Sequence, residues 1–202
     1  MLAYIIIAII AYLIGSVNFS IIISKKMAGF DVREKGSGNA GTTNMLRTVG
    51  KKAAAITLVC DILKGVISIL LAKLIGNIWK GLDIELLVQL AGIFVILGHT
   101  FPVFFKFKGG KGVATSLGVI LTTNWQIGLI CLVFALILIV LTQMVSVGSV
   151  AAAILYPVLT IFMAGNYTIS AIIIAVLIVF NHRENVKRIL AGTENKISFK
   201  KN

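Results

Sequence analysis

Between Gly112 and His182 the chain has no lysine, arginine, aspartate or glutamate, an uncharged run of 71 residues. The core of a soluble domain of this size cannot enclose so long a stretch, and hydrocarbon can. Cysteine is nearly absent. Cys60 and Cys131 lie in apolar surroundings, and neither belongs to a CxxC pair, which leaves disulfide and zinc chemistry without support. Each reads as a small hydrophobe. Acidic residues are few, 7 against 19 Lys+Arg, for a net charge of +12. There is no internal repeat, no low-complexity tract and no soluble linker long enough for a second domain.

What is present is apolar. The hydrophobic fraction is 58% and the mean hydropathy is +1.03, well above a soluble domain. In such a chain a basic balance points to anionic lipid surfaces or phosphorylated substrates, and not to nucleic acid. The opening stretch MLAYIIIAIIAYLIGSVNFSIIIS lacks a basic start and is followed by its basic cluster. It therefore reads as a first spanning helix with its N-terminus outside, not as a signal peptide. Crossing about 30 Å of hydrocarbon takes about 20 residues. The expected spans are Leu2–Ser24, Ala53–Ile75, Leu86–Phe104, Trp125–Leu141, Ser146–Met163 and Thr168–Asn181, with a shorter piece, VATSLGVILTT, before Asn124.

Sixteen of the 19 basic residues fall in three segments, 25–52, 99–112 and 182–202. The positive-inside rule puts all three on the cytoplasmic side. That parity requires an even number of spans between the second and third segments. Counting VATSLGVILTT as a short helix satisfies it, shielded by neighbours or set beside thinned bilayer. The expectation is an all-α integral membrane protein with seven transmembrane helices, one polytopic domain over 1–202, and its polar motifs and C-terminus in the cytoplasm.

Each basic segment carries an unusual polar stretch. In the first, KGSGNAGTTNMLR, glycines can turn successive backbone N–H groups toward an anion, and Ser37, Asn39, Thr42, Thr43 and Asn44 add donors. A helix start is expected near Thr43, and Arg47, one turn on, can clamp a phosphate. In the second, KGGKG opens the short helix with small backbone and a lysine point charge, without matching a Walker A pattern. Lys106 and Lys108 read as ordinary interfacial lysines, and His99 as a structural hydrogen-bonding group. In the third, NHRENVKR, the spacing of His182 and Asn185 predicts one shared helical face. A neutral imidazole there can take a proton from an alcohol. Asp61 and Lys64, at i and i+3 within the second span, are expected to pair and face the bundle.

Three motifs, GSGNxGxTNxxR (Gly36–Arg47), GHxFPVFxxFxGGKGVAT (Gly98–Thr115) and HRENxxRxxxGxE (His182–Glu194), resemble in order and spacing those of the bacterial acyl-phosphate-dependent glycerol-3-phosphate acyltransferases. The resemblance covers nearly the whole chain. It implies an inner-membrane enzyme of seven spans. That enzyme would move a fatty acyl group from acyl phosphate to the 1-hydroxyl of sn-glycerol 3-phosphate, giving lysophosphatidic acid and phosphate, without metal, nucleotide or other cofactor. By this resemblance Ser37, Arg47, His182 and Asn185 are the catalytic set. Gly36, Gly38, Asn39, Thr43 and Asn44 join Lys111, Gly109, Gly110 and Gly112 in binding substrate, the KGGKG glycines taking glycerol 3-phosphate, while Glu194 is structural. The chain departs from the pattern only at tolerant positions such as Ala40 and Thr42. The base is either His182 or a substrate phosphate oxygen positioned by His182.

Other membrane classes fit less well. A transporter would carry polar residues at mid-membrane, often in paired interrupted helices, whereas here they gather in the basic loops. A CDP-alcohol phosphotransferase needs clustered aspartates, and this chain has only the scattered Asp31, Asp61 and Asp83. An HxxxxD acyltransferase signature fails too, since Phe104 and Lys187 stand five residues after His99 and His182. With no Ser-His-Asp grouping, a covalent acyl-Ser37 intermediate is disfavoured.

Overall fold

A computed structural model describes residues 1–197; Lys200 and Lys201, counted above in the third basic segment, lie outside the described residues. Among the described residues every regular element is helical. The chain divides into two compact units, Met1–Thr123 and a second that begins at Asn124. Five helical stretches are long and apolar enough to cross a membrane: Leu2–Ala28, Lys51–Ile78, Ile84–Phe105, Trp125–Thr142 and Val145–Met163. A sixth forms if Gly165–Asn181 and Arg183–Leu190, bent by 58°, count as one.

The first unit contains α1 (Leu2–Ser16), α2 (Phe19–Ala28), α3 (Thr42–Thr48), α4 (Lys51–Ile78), α5 (Ile84–Thr100) and α6 (Val113–Thr123). The large apolar side chains Ile5, Ile9 and Leu13 of α1 and Val59, Ile67 and Leu70 of α4 point outward. Small and polar residues such as Ala11, Ser16, Thr57 and Ser68 point inward. A helix bundle in lipid needs this arrangement, because lipid tails accept Leu and Ile while close backbone contact rewards small residues. The glycines show how close. A Cβ on Gly15 would strike the Val95 carbonyl, and one on Gly98 the Tyr12 carbonyl, so α1 and α5 cross backbone to backbone. Gly65 and Gly118 do the same for α4 and α6, against the carbonyls of Thr115 and Ile62.

The expected first span is not one helix. It breaks at Val17–Asn18, where Val17 turns extended. The Asn18 side chain restarts the helix as an N-cap, accepting from the Ile21 N–H at 3.2 Å. A break inside an apolar span exposes carbonyls that must find donors. Lys64 of α4 supplies them. Its buried ammonium donates to Gly15 O at 3.0 Å and Val17 O at 3.1 Å. Asp61 pairs with the same ammonium at 3.1 Å, as the i, i+3 spacing predicts. The short helix before Asn124 forms at Val113–Thr123, and Lys73 of α4 donates to the Thr122 carbonyl at its end, at 2.8 Å.

The second unit contains α7 (Trp125–Thr142), α8 (Val145–Met163), α9 (Thr168–Asn181) and α10 (Arg183–Leu190). Helix α7 presents Leu129, Val133, Leu136, Ile137 and Val140 outward and buries only Ile127, Gly128 and Cys131. Gly148 brings α8 against the Ala135 carbonyl of α7.

Replacing Lys64 by Met removes the cap on α1 and leaves the Asp61 carboxylate, 2% exposed, without its partner cation. Loss of one member of a buried ion pair costs about 3–5 kcal/mol. We expect Lys64→Met to lower the thermal unfolding midpoint sharply in detergent or nanodiscs. Adding Asp61→Asn should return part of the loss.

Candidate active site

In the first unit the 36–44 loop folds around one side chain. Asn44, buried in the first turn of α3, accepts from the Ser37 N–H at 2.9 Å and donates to Val32 O at 2.9 Å and Lys35 O at 3.0 Å. Asn44 is expected among the substrate contacts; here both hydrogens of its amide go to the loop backbone, and its place is the knot of the loop. Gly36, with φ +60°, closes over it, and a Cβ there would strike Asn44 Oδ1. This leaves Gly36, Ser37 and Gly38 exposed, Asn39 half-buried, and Thr43 and Arg47 one turn apart on α3 with Arg47 exposed. Helix α3 starts at Thr42, one residue before the expected position.

The KGGKG segment lies back on the end of α5. Gly109 N–H donates to Thr100 O and Gly110 N–H to His99 O, each at 3.1 Å. Both N–H groups are therefore committed to the protein and do not point outward from the segment. Their glycine character answers a steric demand instead. A Cβ on Gly109 would enter the His99 carbonyl, and one on Gly110 would strike the His99 ring and the Ala40 carbonyl. The first and second motifs thus touch at Gly110. Gly112, with φ +88°, leads into α6, and Lys111 beside it is half-buried. Beneath lies His99, whose Nδ1 is 2.8 Å from Lys64 Nζ and 3.6 Å from Asp61 Oδ1. An ammonium only donates, so Nδ1 is the acceptor and the ring proton sits at Nε2. His99 has the structural role its position suggests.

Arg33 stood out in the sequence only as one basic residue among many. It binds Asp31 through two bonds, Nε to Oδ1 at 3.0 Å and Nη2 to Oδ2 at 2.8 Å. Its Nη1 then reaches Phe105 O at 2.9 Å and Lys108 O at 3.0 Å. The hydrogen bonds and charge of Arg33 hold the Asp31 carboxyl below its usual value despite partial burial, with Lys25 adding to the effect. The Asp-x-Arg spacing was the available signal.

In the second unit the third motif is built around a carboxylate. Glu194 Oε1 accepts from Asn185 Nδ2 at 2.6 Å and from Ser146 Oγ at 2.7 Å, and Oε2 accepts from Arg188 Nε at 2.8 Å. Ser146, in the first turn of α8, carried no sequence signal of this role. His182 and Asn185 do not share one continuous helix. His182 closes α9 at the 58° bend and Asn185 belongs to α10. The His182 Nδ1 lies 2.8 Å from the Ile178 carbonyl. A carbonyl only accepts, so Nδ1 carries a proton and the lone pair of the neutral ring is at Nε2.

Known proteins match over almost all of this architecture. The profile of the glycerol-3-phosphate acyltransferase family matches residues 5–192. The chain belongs to the glycerol-3-phosphate acyltransferase family. It is 44% identical over 200 residues to a glycerol-3-phosphate acyltransferase of Clostridioides difficile (strain 630), covering 98% of both chains. It is 46% identical over 196 residues to one of Thermoanaerobacter sp. (strain X514), covering 96% of this chain and 95% of that one. It resembles crystal structures of PlsY (YgiH), an integral membrane glycerol 3-phosphate acyltransferase. The glycerol 3-phosphate form superposes with a TM-score of 0.88 at 37% identity, covering 96% of each chain. The lysophosphatidic acid form gives 0.85 at 36% identity, covering 96% of this chain and 95% of that one. The chain is a multi-pass membrane protein.

Burial raises the Glu194 pKa, but hydrogen bonds from Asn185, Ser146 and Arg188 outweigh it and hold the carboxyl below its ordinary value of 4.5. A folded-state pKa below the unfolded one stabilises fully above the unfolded value, and the contribution fades as pH falls through the folded value. At neutral pH we expect Glu194→Gln to cost about 1.5–3 kcal/mol, the range for hydrogen bonds to a charged group. Thermal unfolding followed from neutral pH to about pH 3 should show the wild type converging on the variant below about pH 4.5.

Proposed function

We propose that this protein transfers a fatty acyl group from acyl phosphate to the 1-hydroxyl of sn-glycerol 3-phosphate, releasing lysophosphatidic acid and phosphate, as the first step of phospholipid synthesis. The observation that carries the reading is the full-length match to PlsY in its glycerol 3-phosphate and lysophosphatidic acid forms, joined to three intact motifs. The chain acts as one polytopic domain of seven spans in the inner membrane, its N-terminus outside and its motifs in the cytoplasm. Lysines and arginines in all three basic segments support this orientation.

Two phosphorylated substrates must meet, so the protein's first task is to offset their repulsion. Ser37 and Arg47 take one phosphate, and Lys111, carried at the start of α6, takes the other. Gly36, Gly38, Asn39 and Thr43 shape the first of these sites, and Gly109, Gly110 and Gly112 the second. Phosphate is a weakly basic leaving group, so attack of the hydroxyl on the acyl carbonyl needs no strong general acid. Charge developing on the carbonyl oxygen is met by the same cations. His182 receives or relays the hydroxyl proton through Nε2, since Nδ1–H is directed at Ile178 O. Asn185, tied to Glu194, keeps α10 in place beside it. The acyl chain reaches the site sideways from the bilayer, between helices.

Purified protein given palmitoyl phosphate and labelled glycerol 3-phosphate should form labelled lysophosphatidic acid, whereas palmitoyl thioesters should not support the reaction. Turnover with thioester alone would overturn the choice of donor. His182→Ala and His182→Gln should lower kcat roughly 10²–10⁴-fold, the range for loss of a general base. If His182 is the titrating base, residual activity in both variants loses the rise with pH seen in the wild type.

A further inference from the structure

We propose that Arg33 is a positioning residue for the KGGKG segment, holding a strained turn from which Gly109–Gly112 folds back onto α5. Lys106 and Phe107, with φ of 59° and 57°, are consecutive non-glycine residues in the left-handed region. A side chain with a Cβ is disfavoured there, and two in succession persist only where their surroundings over-determine them. The turn's own backbone supplies part of that constraint. The N–H groups of Phe105 and Phe107 both donate to Pro102 O at 3.0 Å, and Lys108 N–H donates to Phe105 O at 3.3 Å.

The carbonyls that bracket the strained pair, Phe105 O and Lys108 O, both accept from the single nitrogen Nη1 of Arg33, at 2.9 and 3.0 Å. That nitrogen fastens the two ends of the turn together. The guanidinium itself cannot swing, because Asp31 grips its other edge at 3.0 and 2.8 Å. A lysine could supply charge here but not this planar fork. The next residue after the turn is Gly109, whose N–H is bonded to Thr100 O at 3.1 Å. The turn therefore sets where the glycine segment begins, and with it the place of Lys111. Arg33 lies three residues before Gly36, where the first motif begins, so the same residue fixes the approach to that motif to the turn before KGGKG. Four of its five N–H groups are used in these bonds, which makes its effect on substrate an indirect one.

The consequence for catalysis rests on the proposed function, in which KGGKG receives glycerol 3-phosphate. Two readouts separate the ideas. The first is steady-state kinetics with palmitoyl phosphate. Arg33→Lys and Arg33→Ala should each raise KM for glycerol 3-phosphate about tenfold, as expected for lost charged hydrogen bonds. Both kcat and the KM for palmitoyl phosphate should change less than about twofold. The second is tryptic cleavage after Lys108 in protein without substrate, which needs no turnover and should speed up roughly tenfold in both variants, as the local opening equilibrium shifts. Adding Lys106→Gly and Phe107→Gly to Arg33→Ala removes the left-handed strain, and should return both readouts most of the way. Wild-type cleavage rates in either Arg33 variant, full function in Arg33→Lys, or no rescue by the glycine pair would each overturn the proposal. If the wild type itself fails to turn over, the proposed function falls, while the cleavage comparison still decides the role of Arg33.

Discussion

A helix that ends at membrane depth leaves carbonyls that nothing in hydrocarbon will satisfy. Among the described residues, α4 answers two helix endings, the Val17 break and the close of α6, with a lysine each. Lys64 donates to Gly15 O and Val17 O, and Lys73 donates to Thr122 O. Nine positions apart on a helix of 3.6 residues per turn, the two cations leave α4 on opposite sides. Each places positive charge at a helix C-terminus, where the peptide dipoles favour it. The broken first span and the short helix α6 are thus both braced by one long helix, Lys51–Ile78.

The polar loops of the first unit stand on this arrangement. Lys64 meets His99 Nδ1 at 2.8 Å, the His99 carbonyl takes the Gly110 N–H, and Gly110 is wedged between the His99 ring and the Ala40 carbonyl. The path from a buried ammonium to the KGGKG segment runs through a single residue, His99. Glu194 has the corresponding place in the second unit, with the opposite sign. Its carboxylate gathers Ser146 from α8 with Asn185 and Arg188 from α10. In both units a charge removed from water is fully engaged by its own neighbours and fixes short elements that have too few apolar contacts to hold themselves.

Much of this was legible in the residues. The charge-free run after Gly112 pointed to helices in lipid, and the short apolar piece before Asn124 forms a helix, as expected. The Asp61–Lys64 spacing gave a true pair. Other features were hidden because they depend on contacts between distant parts of the chain. Nothing local in MLAYIIIAIIAYLIGSVNFS marks a break, since Asn18 and Gly15 are tolerable within a membrane helix. The break is stabilised from residue 64. The bend at His182 has no glycine or proline in HRENVKR to mark it, and Ser146 gains its role only from Glu194, 48 residues away in the chain.

The roles of the glycines changed most. A glycine-rich sequence between basic residues suggests backbone N–H groups aimed at an anion. In KGGKG the N–H groups of Gly109 and Gly110 are bonded to α5, and the missing side chains serve to let three backbone segments approach one another. Around Gly36 the loop is closed on Asn44. At these positions glycine makes the loops compact, and in the proposed function the burden of meeting phosphate charge falls on side chains standing on them, Ser37, Arg47 and Lys111. A side-chain cation is only as well placed as the backbone beneath it. Under that proposal substrate recognition also depends on the residues beneath those side chains: Asn44 under Ser37, and His99 under the segment that carries Lys111.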